Sequence, residues 1–190
     1  MKPFLFALTC LVGAASVTLA RASDLEVALS KETAQFTLRS DSSMIGWGGS
    51  DLAFGLFYND ESDFVFDASI IQMRQASEEA PLTFGVGVKA YLGKLDKPSE
   101  DVFAFAIGGE VRYTIPGTMP MAIYGRGFYA PPITSFSGSE EVLDYSFGFQ
   151  IEALPQTVAF IGMRHFEVDL SEGNYELDDD NIHVGVRLTF

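Results

Sequence analysis

Four long stretches of this chain alternate between large apolar residues and small or polar ones. Leu82, Phe84, Val86, Val88, Ala90 and Leu92 are interleaved with Thr83, Gly85, Gly87, Lys89, Tyr91 and Gly93. Phe103, Phe105, Ile107, Gly109, Val111, Tyr113 and Ile115 alternate with Ala104, Ala106, Gly108, Glu110, Arg112 and Thr114. Leu143, Tyr145, Phe147, Phe149, Ile151 and Ala153 alternate with Asp144, Ser146, Gly148, Gln150 and Glu152. Ile182, Val184, Val186, Leu188 and Phe190 alternate with His183, Gly185, Arg187 and Thr189. A period of two is the signature of a strand with two unlike faces. The apolar faces stay free of charge over about 9–11 residues, the length a tilted strand needs to cross a bilayer. A soluble barrel reads the other way, with bulk and grease inside and charge outside. Strands in hydrocarbon have no water to satisfy a free edge, so the sheet must close. The expected fold is all-β: a single antiparallel transmembrane β-barrel, with large apolar side chains toward lipid and small and charged ones lining the interior.

The same rule places strands near 24–30, 33–39, 51–59, 63–73, 82–93, 102–115, 120–130, 143–153, 157–170 and 180–190. That makes about 10 strands, with 8 as the alternative; both are even, as single-chain bacterial barrels require. Counting back from a periplasmic end of the last strand, the inner turns are 116–119 and 155–156. The outer loops are then 94–101, 131–142 and 171–179, the usual asymmetry of short turns and longer polar loops. Tyr113 and Phe190 would mark the inner interface and Phe103, Tyr129 and Tyr145 the outer one, levels that aromatic rings favour. Three places fit less well. The first two segments are short and joined by a tight turn at 30–33. Segment 41–50 is long for an inner turn. In 157–170, Val158 and Phe160 suggest one phase and His165 and Glu167 the other, with a bulge at Gly162 as the means of reconciling them.

Ahead of the strands, Lys2, the apolar run Phe4 to Leu19 and Ala20-Arg21-Ala22 have the form of a cleaved signal peptide. The expected organisation is residues 1–22 as signal peptide and 23–190 as one barrel domain. Removing Lys2 and Arg21 from the 12 basic residues leaves 10 against 26 acidic ones, a mature net charge of −16. Cys10, the single cysteine, leaves with the same segment, so no disulfide, thiolate or cysteine metal site is expected. No run of about 18 apolar residues follows position 22, so no membrane helix is expected. The acidic balance argues against nucleic acid as a partner and against docking on anionic lipid by charge.

Phe190, preceded by Val184, Val186 and Leu188 at every second position, resembles the C-terminal signal read by the outer-membrane barrel-assembly machinery. Segments LEVALSKETAQF, GGSDLAFGLFYNDES, APLTFGVGVKAYLG, AIGGEVRYTIP, FYAPPITSF, FIGMRHFEVDL and HVGVRLTF span nearly the whole mature chain. They resemble the YfaZ-like family of outer-membrane proteins. The resemblance implies an outer-membrane barrel, sometimes described as porin-type, without an established activity and without catalytic residues to assign.

Two sets of residues are candidates for chemistry. Lys89, Glu110, Arg112, Glu152 and Arg187 fall on the small-polar faces, and Arg126 and Tyr124 join them. Both signs are present, so these groups are expected to pair and fill a narrow lumen, or to form a charged constriction that selects ions. Side chains can fill an eight-stranded lumen, and ten strands leave little more room, which excludes a wide pore. The second set is His165, Glu167, Asp169 and His183, which a hairpin about 171–179 would bring together near the outer rim. Imidazole and carboxylate suit a divalent metal or, with a serine, a hydrolase triad, although no serine motif accompanies them. The bland alternative is polar residues above the membrane, and the acidic run Glu176 to Asp180 reads as a solvated loop.

The expected function is a non-enzymatic outer-membrane barrel, either structural or a narrow channel, with cation preference suggested by the net charge. No cofactor is expected. Membrane lipid, lipopolysaccharide and the assembly machinery are the expected partners, and small ions or solutes the candidate permeants. The alternatives are a lipid-modifying enzyme using the His165/His183 region, and a binding or adhesion barrel acting through its loops.

Overall fold

The computed structural model describes residues 23–42, 49–77, 80–96, 99–170 and 173–190, leaving out the side chains of 179 and 180. The expected signal peptide lies outside the described residues, as does most of segment 41–50. The elements are β1 (Ser23–Leu29), β2 (Thr33–Asp41), β3 (Ser50–Asn59), β4 (Phe64–Gln75), β5 (Leu82–Lys94), β6 (Asp101–Ile115), β7 (Met121–Ala130), β8 (Ser135–Phe136), β9 (Ser139–Leu154), β10 (Thr157–Leu170) and β11 (Gly173–Thr189). Ten of them form one closed barrel in which every strand pairs antiparallel with both neighbours. The exception is the two-residue β8, which covers Phe103 and Ala104 of β6 beyond the reach of β7. β1 and β11 close the ring, in register from Asp24 opposite Thr189 to Leu29 opposite Val184. At the seam Ser23 and Phe190 exchange backbone hydrogen bonds of 2.9 and 3.0 Å.

β1 and β2 are short, as their sequence suggests. Their tight turn is held by Ser30, whose Oγ accepts the N–H groups of Glu32 and Thr33 at 3.2 and 2.9 Å. Such local hydroxyl bonds satisfy backbone groups that a short turn leaves free.

The outer wall carries Leu25, Phe36, Phe54, Phe66, Val86, Ile107, Ile123, Phe147, Ile161, Val184 and Leu188, all exposed. The inner wall carries Glu26, Arg39, Asp67, Lys89, Glu110, Asp144, Arg164 and Arg187, all buried. A continuous apolar exterior of this extent has no stable home in water. Closed, even-stranded and apolar outside, this is a barrel of the outer-membrane type.

The ambiguous phase of 157–170 has a cause other than a bulge at Gly162. β10 keeps one phase throughout its length. Gly162 and Arg164 are buried, as are Phe166, Val168 and Leu170, while Ile161 is exposed and Met163, His165, Glu167 and Asp169 are half-buried on the opposite face. What changes is the chemistry of the outer face. Up to Met163 the outside is apolar, while the inside carries Val158, Phe160 and Gly162 and then the charged Arg164. From His165 onward the outside is polar and the inside apolar. β9 inverts at the same level: Phe147 is outside and Ser146 inside, but Glu141 is outside and Val142 inside. The inversion marks the outer membrane surface, above which the exterior meets water. Six residues of β10 beyond Arg164 extend about 20 Å along the strand at roughly 3.3 Å each. The irregularity falls on β11, where Arg164 faces Asn181 and Phe166 faces Asp178.

The outer loops also differ from expectation. β9 begins at Ser139 and β11 at Gly173, so the loops expected at 131–142 and 171–179 contract to 131–138 and 171–172. The run Glu176 to Asp180 lies within β11 rather than in a loop. The inner and outer ends differ in strand height, not in loop length.

The main apolar core sits inside the barrel, in its outer half. Phe57, Val65, Tyr91, Leu95, Val102, Phe128, Val142, Phe166, Val168, Leu170 and Leu177 pack together there. Phe166 lies 5.5 Å from the rings of both Phe57 and Tyr91.

Candidate functional site: the barrel lumen

Alternation along each strand places the lumen residues, and closure brings them face to face. At the inner mouth a cavity of about 170 Å³ is lined by Asp24, Arg39, Asp51, Arg112 and Arg187, among others. Beyond it the lumen is filled. Glu26 Oε2 accepts from Arg187 Nε and Nη2 at 2.8 and 2.7 Å. Glu110 accepts from Arg112 Nη2 at 2.6 Å and from Arg126 Nε at 3.0 Å. Arg39 lies between these carboxylates, 3.8 Å from Glu26 and 3.7 Å from Glu110. Nearer the outer end, Lys89 Nζ stands 3.2 Å from Asp67 and 2.9 Å from Asp144. Asp144 also accepts from the Tyr91 hydroxyl at 2.9 Å and from Arg164 Nε at 3.1 Å. Buried charges are tolerated when paired and hydrogen-bonded; each charge named beyond the mouth cavity has an ionic partner, while Arg39 Nε and Arg112 Nε are buried without a hydrogen bond.

Arg164 joins the charged layer to the apolar one. Its Nη1 donates to Gln35 at 2.8 Å. Its guanidinium lies 4.9 and 4.8 Å from the ring centres of Phe57 and Phe166. Cavities of about 30 and 20 Å³ remain between the layers, each with room for about one water. Tyr124, Phe160 and Ala28 form a small apolar patch on the inner wall. The Phe160 ring lies over Gly185, where a side chain would collide with it.

Of the lumen residues expected from the sequence, Lys89, Glu110, Arg112, Arg126 and Arg187 belong to the network. Glu152 does not: it is exposed near the inner end of β9, three lumen-facing positions from Ser146, the residue opposite Arg126. Glu26, Arg39, Asp67, Asp144 and Arg164 are lumen charges that the sequence reading does not single out, although each lies in phase with the small residues of its strand. The seven carboxylates Asp24, Glu26, Asp41, Asp51, Asp67, Glu110 and Asp144 face the six cations Arg39, Lys89, Arg112, Arg126, Arg164 and Arg187. The lumen is therefore within one charge of balance, and the acidic excess lies mainly at the outer rim.

The second candidate set does not converge. His165 and Glu167 are on the outer wall, with Tyr145 stacked on the His165 ring at 5.0 Å and His165 Nε2 3.2 Å from Glu167. Asp169 is beside them, bordering a shallow pocket with Glu141, Leu143, Glu167 and Asn174. His183 is on the inner wall, 3.5 Å from the Tyr124 hydroxyl. The barrel wall separates the two imidazoles, because 165 and 183 fall in opposite phases across the β10–β11 pair. No group of three metal-ligating side chains assembles among the described residues.

No family model and no curated protein matches the chain. Solved structures similar to it in fold include three outer-membrane proteins. One is the outer membrane channel DcaP of Acinetobacter baumannii, at 11% identity and a TM-score of 0.43, covering 92% of this chain and 55% of that one. A bacterial polysaccharide outer membrane secretin aligns at 12% identity and 0.47, covering 90% and 65%. KdgM porin aligns at 8% and 0.42, covering 89% and 99%. The chain thus spans less than two thirds of the first two.

Proposed function

We propose that this protein is an integral outer-membrane barrel of narrow-channel type whose lumen is sealed in the conformation described, and that it is not an enzyme. One observation carries the reading: the apolar core of Phe57, Tyr91, Phe128, Phe166 and Val168 fills the outer half of the lumen directly above a charge-paired layer. Apolar constrictions block ions by excluding water. A paired charge layer behind one leaves no continuous wet path. Ion passage then needs the seal to part, and the inner mouth acts as a vestibule. With the lumen close to balance, a cation preference comes mainly from the acidic outer rim, which raises the local cation concentration. Membership of the YfaZ-like family, lipopolysaccharide as the surrounding lipid and delivery by the barrel-assembly machinery belong to the same proposal. The separation of His165 from His183 removes the support for a lipid-modifying centre, and the short outer connections weaken the adhesion reading.

Recording from purified protein in planar bilayers tests this. The expected record is closed, with small, brief openings that favour cations. A steady conductance of general-porin size would refute it, as would hydrolysis of phospholipid by the pure protein.

A further inference from the structure

The cavity at the inner mouth contains charged groups that the network beyond it does not use. Its lining brings together three guanidinium groups, Arg39, Arg112 and Arg187, and three carboxylates, Asp24, Asp41 and Asp51. Most of them are committed. Arg187 gives Nε and Nη2 to Glu26, and Arg112 gives Nη2 to Glu110. Asp24 accepts from Thr189 Oγ1 at 2.7 Å, and Asp41 has a partner of its own. Two groups stand apart. The Arg39 side chain is only 9% exposed, yet its Nε has no hydrogen bond. Its carboxylate neighbours Glu26 and Glu110, at 3.8 and 3.7 Å, are beyond hydrogen-bond reach. Asp51 accepts no side-chain hydrogen bond and forms no ion pair among the described residues.

The two face the same space without meeting. Arg39 on β2 is opposite Ala53 on β3, and Asp51 lies two residues further along the same face of β3. Such diagonal neighbours are roughly 7–8 Å apart at the backbone. Both also border the cavity of about 20 Å³ further along the lumen, so they stand at the floor of the mouth.

Each group selects one kind of charge. A guanidinium presents paired N–H donors in a planar fork that matches a carboxylate. A carboxylate without a partner suits an ammonium, which donates charge-assisted hydrogen bonds. A solute with one charge alone fits badly. An anion would enter beside Asp24 and Asp51 with Glu26 and Glu110 behind them, and a cation would enter beside three guanidinium groups; like charges so placed are costly. A molecule bearing both signs adds no net charge to a lining that already has three of each. The cavity volume of about 170 Å³ equals five or six waters at roughly 30 Å³ each, or one solute of about as many heavy atoms.

We propose that the inner mouth is a binding site for a small zwitterionic amino acid of glycine or alanine size, with its carboxylate on the Arg39 guanidinium and its ammonium on Asp51. The site deepens the channel reading by naming the solute that the vestibule holds, and rests on that reading for its consequence. Binding itself is measured without any current.

Saturation-transfer NMR titrations of glycine against the mature chain refolded in detergent micelles test the site. Saturable binding is expected, with acetate and methylammonium, which carry one charge each, at least about tenfold weaker. Asp51→Asn breaks no bond of the unliganded protein and should fold as before, which circular dichroism checks; it should weaken glycine about tenfold and leave acetate unchanged. Arg39→Lys keeps the charge beside Glu26 and Glu110 but removes the fork, and should weaken glycine and acetate alike. Absence of saturable glycine binding would overturn the proposal. Acetate as tight as glycine would reduce the site to an anion site, and methylammonium as tight would reduce it to a cation site; either result overturns the zwitterion assignment. Glycine binding untouched by both substitutions would place the ligand elsewhere and overturn it too. A barrel that binds glycine and never conducts would refute the channel and keep the site, whereas one that conducts and ignores glycine would do the reverse.

Discussion

Asp144→Ala removes the carboxylate on which the upper lumen layer converges. Asp144 accepts from Lys89 and from the Tyr91 hydroxyl, both at 2.9 Å, and from Arg164 at 3.1 Å. Removing one member of a buried charge pair costs about 3–5 kcal/mol, most of it the burden of the charge left behind. Two features put this case at the lower end. Lys89 keeps Asp67 at 3.2 Å. Arg164 keeps Gln35 at 2.8 Å and the faces of Phe57 and Phe166. The expected loss is about 3 kcal/mol, measured by urea unfolding of vesicle-inserted protein followed by circular dichroism. Asp144→Asn should lose roughly half as much, because its amide oxygen still accepts. Asp144→Leu combined with Arg164→Met removes one charge of each sign and leaves Lys89 with Asp67; it should recover most of the loss. A loss below about 0.5 kcal/mol for Asp144→Ala, or a double variant weaker than the single, would refute the assignment of Asp144 as the hub.

Ile107→Arg places a cation on the lipid-facing wall and should destabilise the inserted barrel by about 2–4 kcal/mol in the same assay; an unchanged curve would contradict that facing. Phe166→Ala empties the centre of the seal, with an expected loss of about 3–5 kcal/mol and a leak of small ions from loaded vesicles; tight vesicles would show that other residues make the barrier. His165→Ala and His183→Ala stand on opposite sides of the wall, so their effects on stability should add to within about 0.5 kcal/mol. A larger coupling would place them in one site.

Much of this architecture is readable from alternation alone, because a membrane-spanning strand has one face in lipid and one face in a crowded interior. The runs at 82–92, 103–115, 143–153 and 182–190 report their faces correctly, and the ten strands follow from them. The rule fails where its premise fails. Above the membrane surface β10 has water outside and a sealed core inside, so Phe166 and Val168 face inward while His165 and Glu167 face outward. The strand therefore keeps one phase while its outer face turns from apolar to polar, where the sequence suggests a bulge at Gly162. Phe57 is hidden for a similar reason: in Phe54-Gly55-Leu56-Phe57-Tyr58 both faces carry aromatic rings. Lys89, Glu110, Arg112 and Arg187 were legible on the clear strands, but Asp144 on β9, Glu26 and Arg39 on the short β1 and β2, Asp67 on β4 and Arg164 on β10 were not. Which carboxylate meets which cation depends on closure between β1 and β11, a pairing that no local pattern encodes.

Tryptophan quenching by lipids brominated on their acyl chains tests the central claim most directly. In a Trp47→Phe background, Phe147→Trp should be strongly quenched, since residue 147 is exposed on the outer wall. Phe57→Trp should be spared, since residue 57 is enclosed at 1% exposure. Equal quenching at both sites, or quenching at 57 alone, would mean that lipid does not meet the wall described here and that the interior is not sealed from it.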